Sequence, residues 1–270
     1  MPELPEVETC RRALEPLVIG RVLGAYAHSG KALRIQDEPQ RLADLSGQRI
    51  TALTRRSKYL IAELEQDALL VHLGMTGQLF VSDDQPAWLP HEHWRFAMGD
   101  GALRYRDPRR FGMVMSCSLA ELPSHAMLAK LGPEPLDGWQ AEQLVAATRG
   151  RRTPIKTMIM DAKTVVGVGN IYAAEALFAA GIHPFRAAGR ISPAHIERLH
   201  AEIVSVLERA LAEGGSTVKD FVSSDGAPGY FAHSLAVYGR HGQPCLRCET
   251  ALKREQRGGR TTVYCGRCQR

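Results

Sequence analysis

Four cysteines near the C-terminus restrict this chain more than any other feature. Cys245 and Cys248 are separated by two residues, sixteen residues follow, and Cys265 and Cys268 repeat the spacing. Each C-x2-C turn can hold two thiolates on one tetrahedral ion, and the stretch between the turns can form a β-hairpin. The spacing predicts a zinc ribbon closed by one Zn2+. A disulfide framework is the other use of paired cysteines, but nothing marks the chain for secretion. Four protein ligands leave no position open for a reacting water, so the metal is expected to be structural. Cys10 and Cys117 remain, and read as small buried apolar residues.

The ribbon is also basic. Eight Lys/Arg lie from Arg240 to Arg270, against Glu249 and Glu255. Five more lie between Arg149 and Lys163 with Asp161 as the lone acid, and Arg104, Arg106, Arg109 and Arg110 surround Asp107. With a net charge of +5, separate positive patches predict a polyanionic partner such as nucleic acid. Solubility alone is the plainer use of such patches. Aromatic residues make up 6% of the chain, which argues against stacking on long single strands. No apolar run approaches the roughly 20 residues of a membrane helix. A cytoplasmic, nucleoid-associated location without membrane contact is expected.

At 270 residues the chain can form two or three domains around a sizeable core. Val7, Cys10, Ala13, Leu14, Leu17 and Val18 recur with helical spacing; Pro5 suits a first turn and Gly20 follows the end. Residues 21 to about 120 read as strand-rich, with short runs at 49–54, 59–64 and 68–73. Runs at 94–98 and 102–105 flank the turn Gly99-Asp100-Gly101. Short strands with tight turns imply an antiparallel sandwich or barrel. Beyond Gly132-Pro133-Glu134-Pro135 the pattern turns helical, at 141–148, 155–160, 171–180 and 193–213. The fold class is therefore α+β: an N-terminal helix and antiparallel β-sandwich over 1–131, a helical domain over 132–235 and a zinc finger over 236–270.

Removal of Met1 would leave Pro2 as a terminal secondary amine, the only such nucleophile an unmodified chain presents. Attack on an anomeric carbon would form an iminium ion, an electron sink that labilises neighbouring C–O bonds. Glu3 stands beside it for proton transfer; a frayed terminus is the plainer reading. Lys58 enters a strand from a basic stretch, and Gly258-Gly259-Arg260 occupies the expected hairpin turn, where a guanidinium can face phosphate. Val168-Gly169-Asn170 opens a helix, either to grip an anion or with Asn170 as an ordinary cap. His91 and His93 would share a strand face, but no third ligand lies nearby, so they read as surface or phosphate-contacting groups. Met75 and the pair Arg110-Phe111 can serve as wedges where a base is extruded, or simply pack.

Pro2-Glu3-Leu4-Pro5-Glu6, Lys58-Tyr59-Leu60, His72-Leu73-Gly74-Met75, Asp107-Pro108-Arg109-Arg110-Phe111-Gly112, Val166–Tyr172 and the ribbon occur in order along nearly the whole chain. Together they resemble the bacterial formamidopyrimidine-DNA glycosylase family. The resemblance implies a two-lobed enzyme with a helix-two-turns-helix module, holding double-stranded DNA between its lobes. By matching position, Pro2 resembles the Schiff-base nucleophile and Glu3 the acid/base. Lys58 and Arg260 match the groups assigned to β- and δ-elimination. His91, Arg110, Arg151 and Asn170 match DNA contacts, and Met75, Arg110 and Phe111 match the trio that fills the space of a flipped nucleotide. Ser216 to Tyr230 resembles the loop that closes over the damaged base. Arginines stand at 151 and 152 where relatives often carry lysines.

The expected activity is a bifunctional glycosylase and apurinic/apyrimidinic lyase for oxidised purines, 8-oxoguanine and formamidopyrimidines, acting as a monomer. An endonuclease VIII-like glycosylase for oxidised pyrimidines is the neighbouring alternative. A non-catalytic zinc-ribbon DNA-binding protein is the other, against which the intact Pro2, Glu3, Lys58 and Arg260 stand.

Overall fold

The computed structural model describes residues 2–83, 87–215 and 234–270. Two compact units emerge: one runs to Lys130, and the other takes Leu131–Glu213 together with the C-terminal stretch to Arg270.

Helix α1 (Leu4–Val18) opens the first unit. Val7, Cys10, Leu14 and Val18 form its buried stripe, whereas Leu17, expected on that stripe, is 46% exposed. Strands β1 (Tyr26–His28) and β2 (Ile35–Gln36) and the short helix α2 (Pro39–Ala43) follow. Then come β3 (Ala52–Arg56), β4 (Tyr59–Glu63), β5 (Asp67–His72), β6 (Gln78–Asp83), β7 (Glu92–Met98), β8 (Gly101–Arg106) and β9 (Met113–Ser118). They form a four-stranded sheet in the order β1-β7-β8-β6 and a five-stranded sheet in the order β2-β9-β5-β4-β3. All pairings are antiparallel except β2 with β9, a two-residue parallel pair. The turn between β7 and β8 is Gly99-Asp100, with Gly99 at φ 63°, a conformation open to glycine at little cost.

One apolar core joins both sheets to the helix: Leu14 and Val18 meet Leu53 and Leu60 from one sheet and Leu79, Phe96 and Leu103 from the other. This makes the unit a β-sandwich with α1 laid against it. The five-stranded sheet is apolar on its second face too, where Ile61, Leu70, Met113 and Met115 are covered by Leu122, Met127 and Leu128. Inside the other sheet, Arg104 and Glu92 form an ion pair at 3.1 Å with both side chains fully buried.

The second unit contains α3 (Ala141–Thr148), α4 (Ile155–Ile159), α5 (Asn170–Ala180) and α6 (Pro193–Ala212), then the hairpin β10 (Lys253–Arg257) and β11 (Arg260–Tyr264). Pro193 at the first position of α6 and Gly181 at φ 71° after α5 explain why those ends lie where the sequence marks them. α5 is apolar nearly all round and is buried accordingly, packed by α4, α6 and β11. Among the described residues, no helix is long and apolar enough to cross a membrane.

Candidate active site and nucleic-acid interface

The start of α1 is a reciprocal cap. The Glu3 side chain accepts the Glu6 amide, while the Glu3 N–H donates to Glu6 Oε2 at 2.7 Å. Glu3 is 1% exposed and Pro2 beside it is buried. A carboxylate is thus fixed at the positive end of a helix, adjacent to the residue that can present a secondary amine. Glu8 pairs with Arg55 of β3 at 3.1 Å, which ties this end of the helix to the five-stranded sheet.

Lys58 does not enter a strand, as its basic run suggested. Arg56 pairs with Tyr59, so Ser57 and Lys58 are the two residues of a tight turn, with Ser57 at φ 57°. The imidazole of His72, across from Tyr59, is pushed down to about 4 by burial first, then by the charges of Lys58 and Arg34. Its Nδ1 accepts the Gly74 amide at 2.9 Å, consistent with a neutral ring carrying its proton on Nε2.

Gly74 then brings two loops together. It lies at φ 62°, and a Cβ there would stand 2.5 Å from the Phe111 carbonyl carbon, so no other residue fits. The half-buried Met75 follows directly, and Phe111 is 41% exposed with the Arg109 guanidinium 4.9 Å from its ring. Asp107 shapes this surface from beneath. Fully buried, its carboxylate accepts from Thr76 Oγ1 at 2.5 Å, from the Gly112 amide at 2.8 Å and from the Arg109 amide at 3.2 Å. Arg110, in the same loop, is held at φ 56°. Strained non-glycine residues of this kind collect at functional loops.

His91 and His93 part company. A register irregularity between Glu92 and Trp94 breaks the alternation, so the shared strand face is lost. His91 is exposed at φ 63°, whereas His93 is buried with Nε2 2.8 Å from the Asp107 carbonyl. His91 and Arg110 line one cavity.

In the second unit the N-cap of α5 is Gly169, and Asn170 is the first helical residue rather than the cap. Its side chain is used elsewhere: Oδ1 accepts from Lys156 Nζ at 2.7 Å, and Nδ2 donates to the Thr261 carbonyl at 3.1 Å. Lys156 is 4% exposed and also donates to Thr262 Oγ1 at 2.8 Å. This buried ammonium links α4, the start of α5 and β11. Arg260 opens β11 after Gly258 and Gly259, whose φ values of 55° and 72° are those of a two-glycine hairpin turn. Arg260 is exposed and, with Arg151 and Lys163, lines a cavity of about 690 Å³ that also holds Asp161 and Thr153.

The four ribbon cysteines converge, their sulfurs all within 4.8 Å of one another. Cys248 and Cys265 lie 3.5 Å apart, Cys245 and Cys268 3.9 Å. Four zinc–sulfur bonds of about 2.3 Å in tetrahedral array place sulfurs about 3.8 Å apart, so the set fits one structural Zn2+. Cys245 and Cys265 belong to the same buried cluster as Phe178 and Val263. Arg247, between the first two cysteines, donates to the Phe178 and Ala179 carbonyls at 3.0 and 3.1 Å and so caps α5.

Pro2, Glu3, Lys58, Met75, His91, Arg110 and Phe111 lie in the first unit; Arg151, Asn170, Arg260 and the cysteines lie in the second. The loop Ser216 to Tyr230 falls outside the described residues. Sequence reasoning missed three supporting residues: Asp107, Lys156 and Glu175. Glu175 is buried in α5 and accepts the amides of Ala236, Val237 and Tyr238 at 2.8–2.9 Å. A charge inside an otherwise apolar helix was the available signal for Glu175, and a Lys among Ile155, Met158 and Ile159 for Lys156.

Comparison with known proteins agrees along the whole chain. The formamidopyrimidine-DNA glycosylase N-terminal domain matches residues 1–114, the H2TH domain of the same proteins 131–222, and the zinc finger found in FPG and IleRS 242–270. The formamidopyrimidine-DNA glycosylase of Alcanivorax borkumensis is 49% identical, with 100% of both chains covered; that of Stutzerimonas stutzeri is 47% identical at the same coverage. Among solved structures, the complex of Lactococcus lactis Fpg with an abasic site containing DNA matches with a TM-score of 0.92, 32% identity and 99% of each chain. The MutM (Fpg) protein of Thermus thermophilus matches with a TM-score of 0.90, 37% identity, 99% of this chain and 98% of that one. With every module present and full-length identity approaching half, the chain belongs to the formamidopyrimidine-DNA glycosylase family of base-excision repair enzymes.

Proposed function

We propose that the protein excises oxidised purines, 8-oxoguanine and formamidopyrimidines, from double-stranded DNA and then cleaves the strand by β,δ-elimination. Met1 is removed, and the secondary amine of Pro2 attacks C1′ of the damaged nucleotide. Glu3 moves the proton that releases the base and opens the sugar. Lys58 serves β-elimination and Arg260 δ-elimination. His91, Arg110, Arg151 and Asn170 hold phosphates, giving register without sequence reading and a steep salt dependence. Met75, Arg110 and Phe111 fill the space of the extruded nucleotide, whose unstacking costs a few kcal/mol, less for a damaged pair. The enzyme works as a monomer in the cytoplasm, at the nucleoid, through a catalytic domain over 1–131, a helical domain over 132–235 and a zinc finger over 236–270.

One observation carries the reading. Gly74 packs so closely on the Phe111 backbone that the half-buried Met75 and the exposed Phe111 stand on adjoining loops, which we read as an apolar wedge beside the Arg109 guanidinium. Such a wedge serves a protein that opens a stack, whereas a simple duplex binder gains nothing by exposing it.

The test is borohydride trapping of the processed, zinc-loaded protein on duplexes carrying single lesions. Covalent adducts on 8-oxoguanine DNA that vanish when the terminal amine is blocked, or when Met1 is retained, are expected. Adducts confined to oxidised pyrimidines would transfer the substrate to the sister class. Binding without any adduct would overturn the mechanism.

A further inference from the structure

The turn Ser57-Lys58 between β3 and β4 has a backbone that its residues do not favour. Its first position, at φ 57°, is one that glycine normally fills. Ser57 is also 4% exposed, so the strained residue is buried and persists only because its surroundings hold it. Arg55, two residues earlier on the edge strand β3, supplies a hold. Its Nη1 donates to the Ser57 carbonyl at 2.9 Å. That oxygen belongs to the peptide joining Ser57 to Lys58. A peptide is planar, so fixing its oxygen fixes where the Lys58 side chain starts.

The same guanidinium reaches the helix that carries the terminal residues. Its Nε donates to Glu8 Oε2 at 3.1 Å, with the two side chains 11% and 13% exposed. Glu8 is also gripped by Arg11 and Arg12, each at 3.0 Å. Burial pushes the Glu8 carboxyl up, yet hydrogen bonds from Arg11 and Arg12 and the charges of Arg11 and Arg55 bring it below the usual carboxylate range. It is therefore ionised at neutral pH. Arg11 adds a second tie, from Nη1 to the Leu53 carbonyl of β3 at 3.2 Å. Glu8 follows Glu3 by five residues, about 7.5 Å along the helix axis. A continuous path thus runs from Glu3 through α1, Glu8 and Arg55 to the backbone of Lys58. A flat guanidinium serves two acceptors in fixed directions, whereas an ammonium on a flexible stem is a single point charge.

We propose that Arg55 is a positioning residue for strand cleavage: by bridging Glu8 and the Ser57 carbonyl, it fixes Lys58 relative to the Pro2–Glu3 end of α1. The inference rests on the roles of Pro2 and Lys58 given under the proposed function. In this role Arg55 acts through Lys58 and not on the sugar. Adduct formation needs the terminal amine, which α1 holds, whereas β-elimination needs Lys58, which the turn holds. Releasing the bridge therefore harms the second step more than the first. Misplacing a reacting group by about 1 Å can cost on the order of a hundredfold, and a softened turn that keeps its hairpin should cost less.

Two single-turnover rates are measured with the full zinc-loaded protein on a duplex carrying one abasic site: strand cleavage, and adduct formation under borohydride. Arg55→Gln should slow cleavage about tenfold, while adduct formation changes by about twofold or less and duplex affinity in anisotropy stays at the wild-type value. Arg55→Lys keeps the charge beside Glu8 but not the fork, and should leave cleavage about fivefold slow. Both variants keep the bonds of Glu8 to Arg11 and Arg12, so α1 stays tied to its neighbours. If Arg55→Gln does not fold, the lysine variant decides by the same two rates. Wild-type protein separates the inference from its foundation. With no wild-type adduct, the proposed function falls and this inference with it. With wild type active, the inference alone is overturned by any of three results: Arg55→Gln cleaving at the wild-type rate, cleavage and adduct formation falling together, or lysine restoring full cleavage.

Discussion

The first unit holds its functional loops against a broad apolar sandwich, whereas the second holds its own through sulfur, a buried ammonium and a buried carboxylate. In the sandwich, Met75, Arg110 and Phe111 stand on loops whose shape comes from Asp107 and from glycines that permit close approach. Behind them lie Trp94 and Tyr105, stacked with ring centroids 5.3 Å apart. In the second unit, Asn170 and Arg260 are linked through Lys156 and the hairpin, and the cysteines themselves are part of the core. The contrast concerns failure. An apolar core sheds stability side chain by side chain, while a metal or buried charge is lost all at once.

The largest effect should come from zinc removal, by chelation or by Cys265→Ser. Structural zinc contributes on the order of 10 kcal/mol to such a ribbon, so duplex affinity measured by anisotropy should collapse. The near-ultraviolet circular dichroism of the stacked Trp94–Tyr105 pair should persist; its loss would erase the distinction between the units. Next, Lys156→Met strands Asn170 Oδ1 and Thr262 Oγ1 and should cost about 3 kcal/mol in denaturant unfolding. Leu60→Ala in the sandwich should cost a similar amount. Only the lysine variant should also weaken binding to undamaged duplex, and equal losses would refute the comparison.

Acid probes the first unit through His72. His72 is held down to about 4 against an ordinary 6.5. Above pH 6.5 both folded and unfolded rings are neutral and nothing changes. Between 6.5 and 4 the unfolded chain takes up the proton first, so stability falls with falling pH, by up to about 3 kcal/mol. His72→Gln should flatten that slope. The smallest effect is expected for Asp107→Asn, about 1–2 kcal/mol, because the replacement amide can still accept from Thr76 or Gly112 but not from both loops as before. Lesion excision should fall more than abasic-site cleavage if the loop serves extrusion.

Much of this architecture was legible because local signals agreed. Pro5 and Gly20 mark the ends of the first helix, and Gly99-Asp100 marks a hairpin, without help from the rest of the chain. The cysteines required only counting. What escaped was long-range. Asp107 sits among four arginines in the sequence, yet its carboxylate accepts from Thr76, Tyr105 and backbone amides. His93 reads, for want of a third ligand, as a surface or phosphate-contacting group, yet the irregularity at Glu92/Trp94 breaks the shared strand face and leaves it buried. Asn170 had the composition of a cap, but Lys156 and Thr261, one of them 91 positions away, claim its side chain. The wide separation in sequence hides such bonds from any local pattern.

Helix α5 ends where Arg247 grips its last carbonyls and begins where Asn170 stands. Eleven residues at 1.5 Å each make it a strut about 16 Å long. Oxidising the thiolates would therefore slacken one anchorage and tilt the far tip, so redox injury to the cell could disarm the repair of redox injury to its genome.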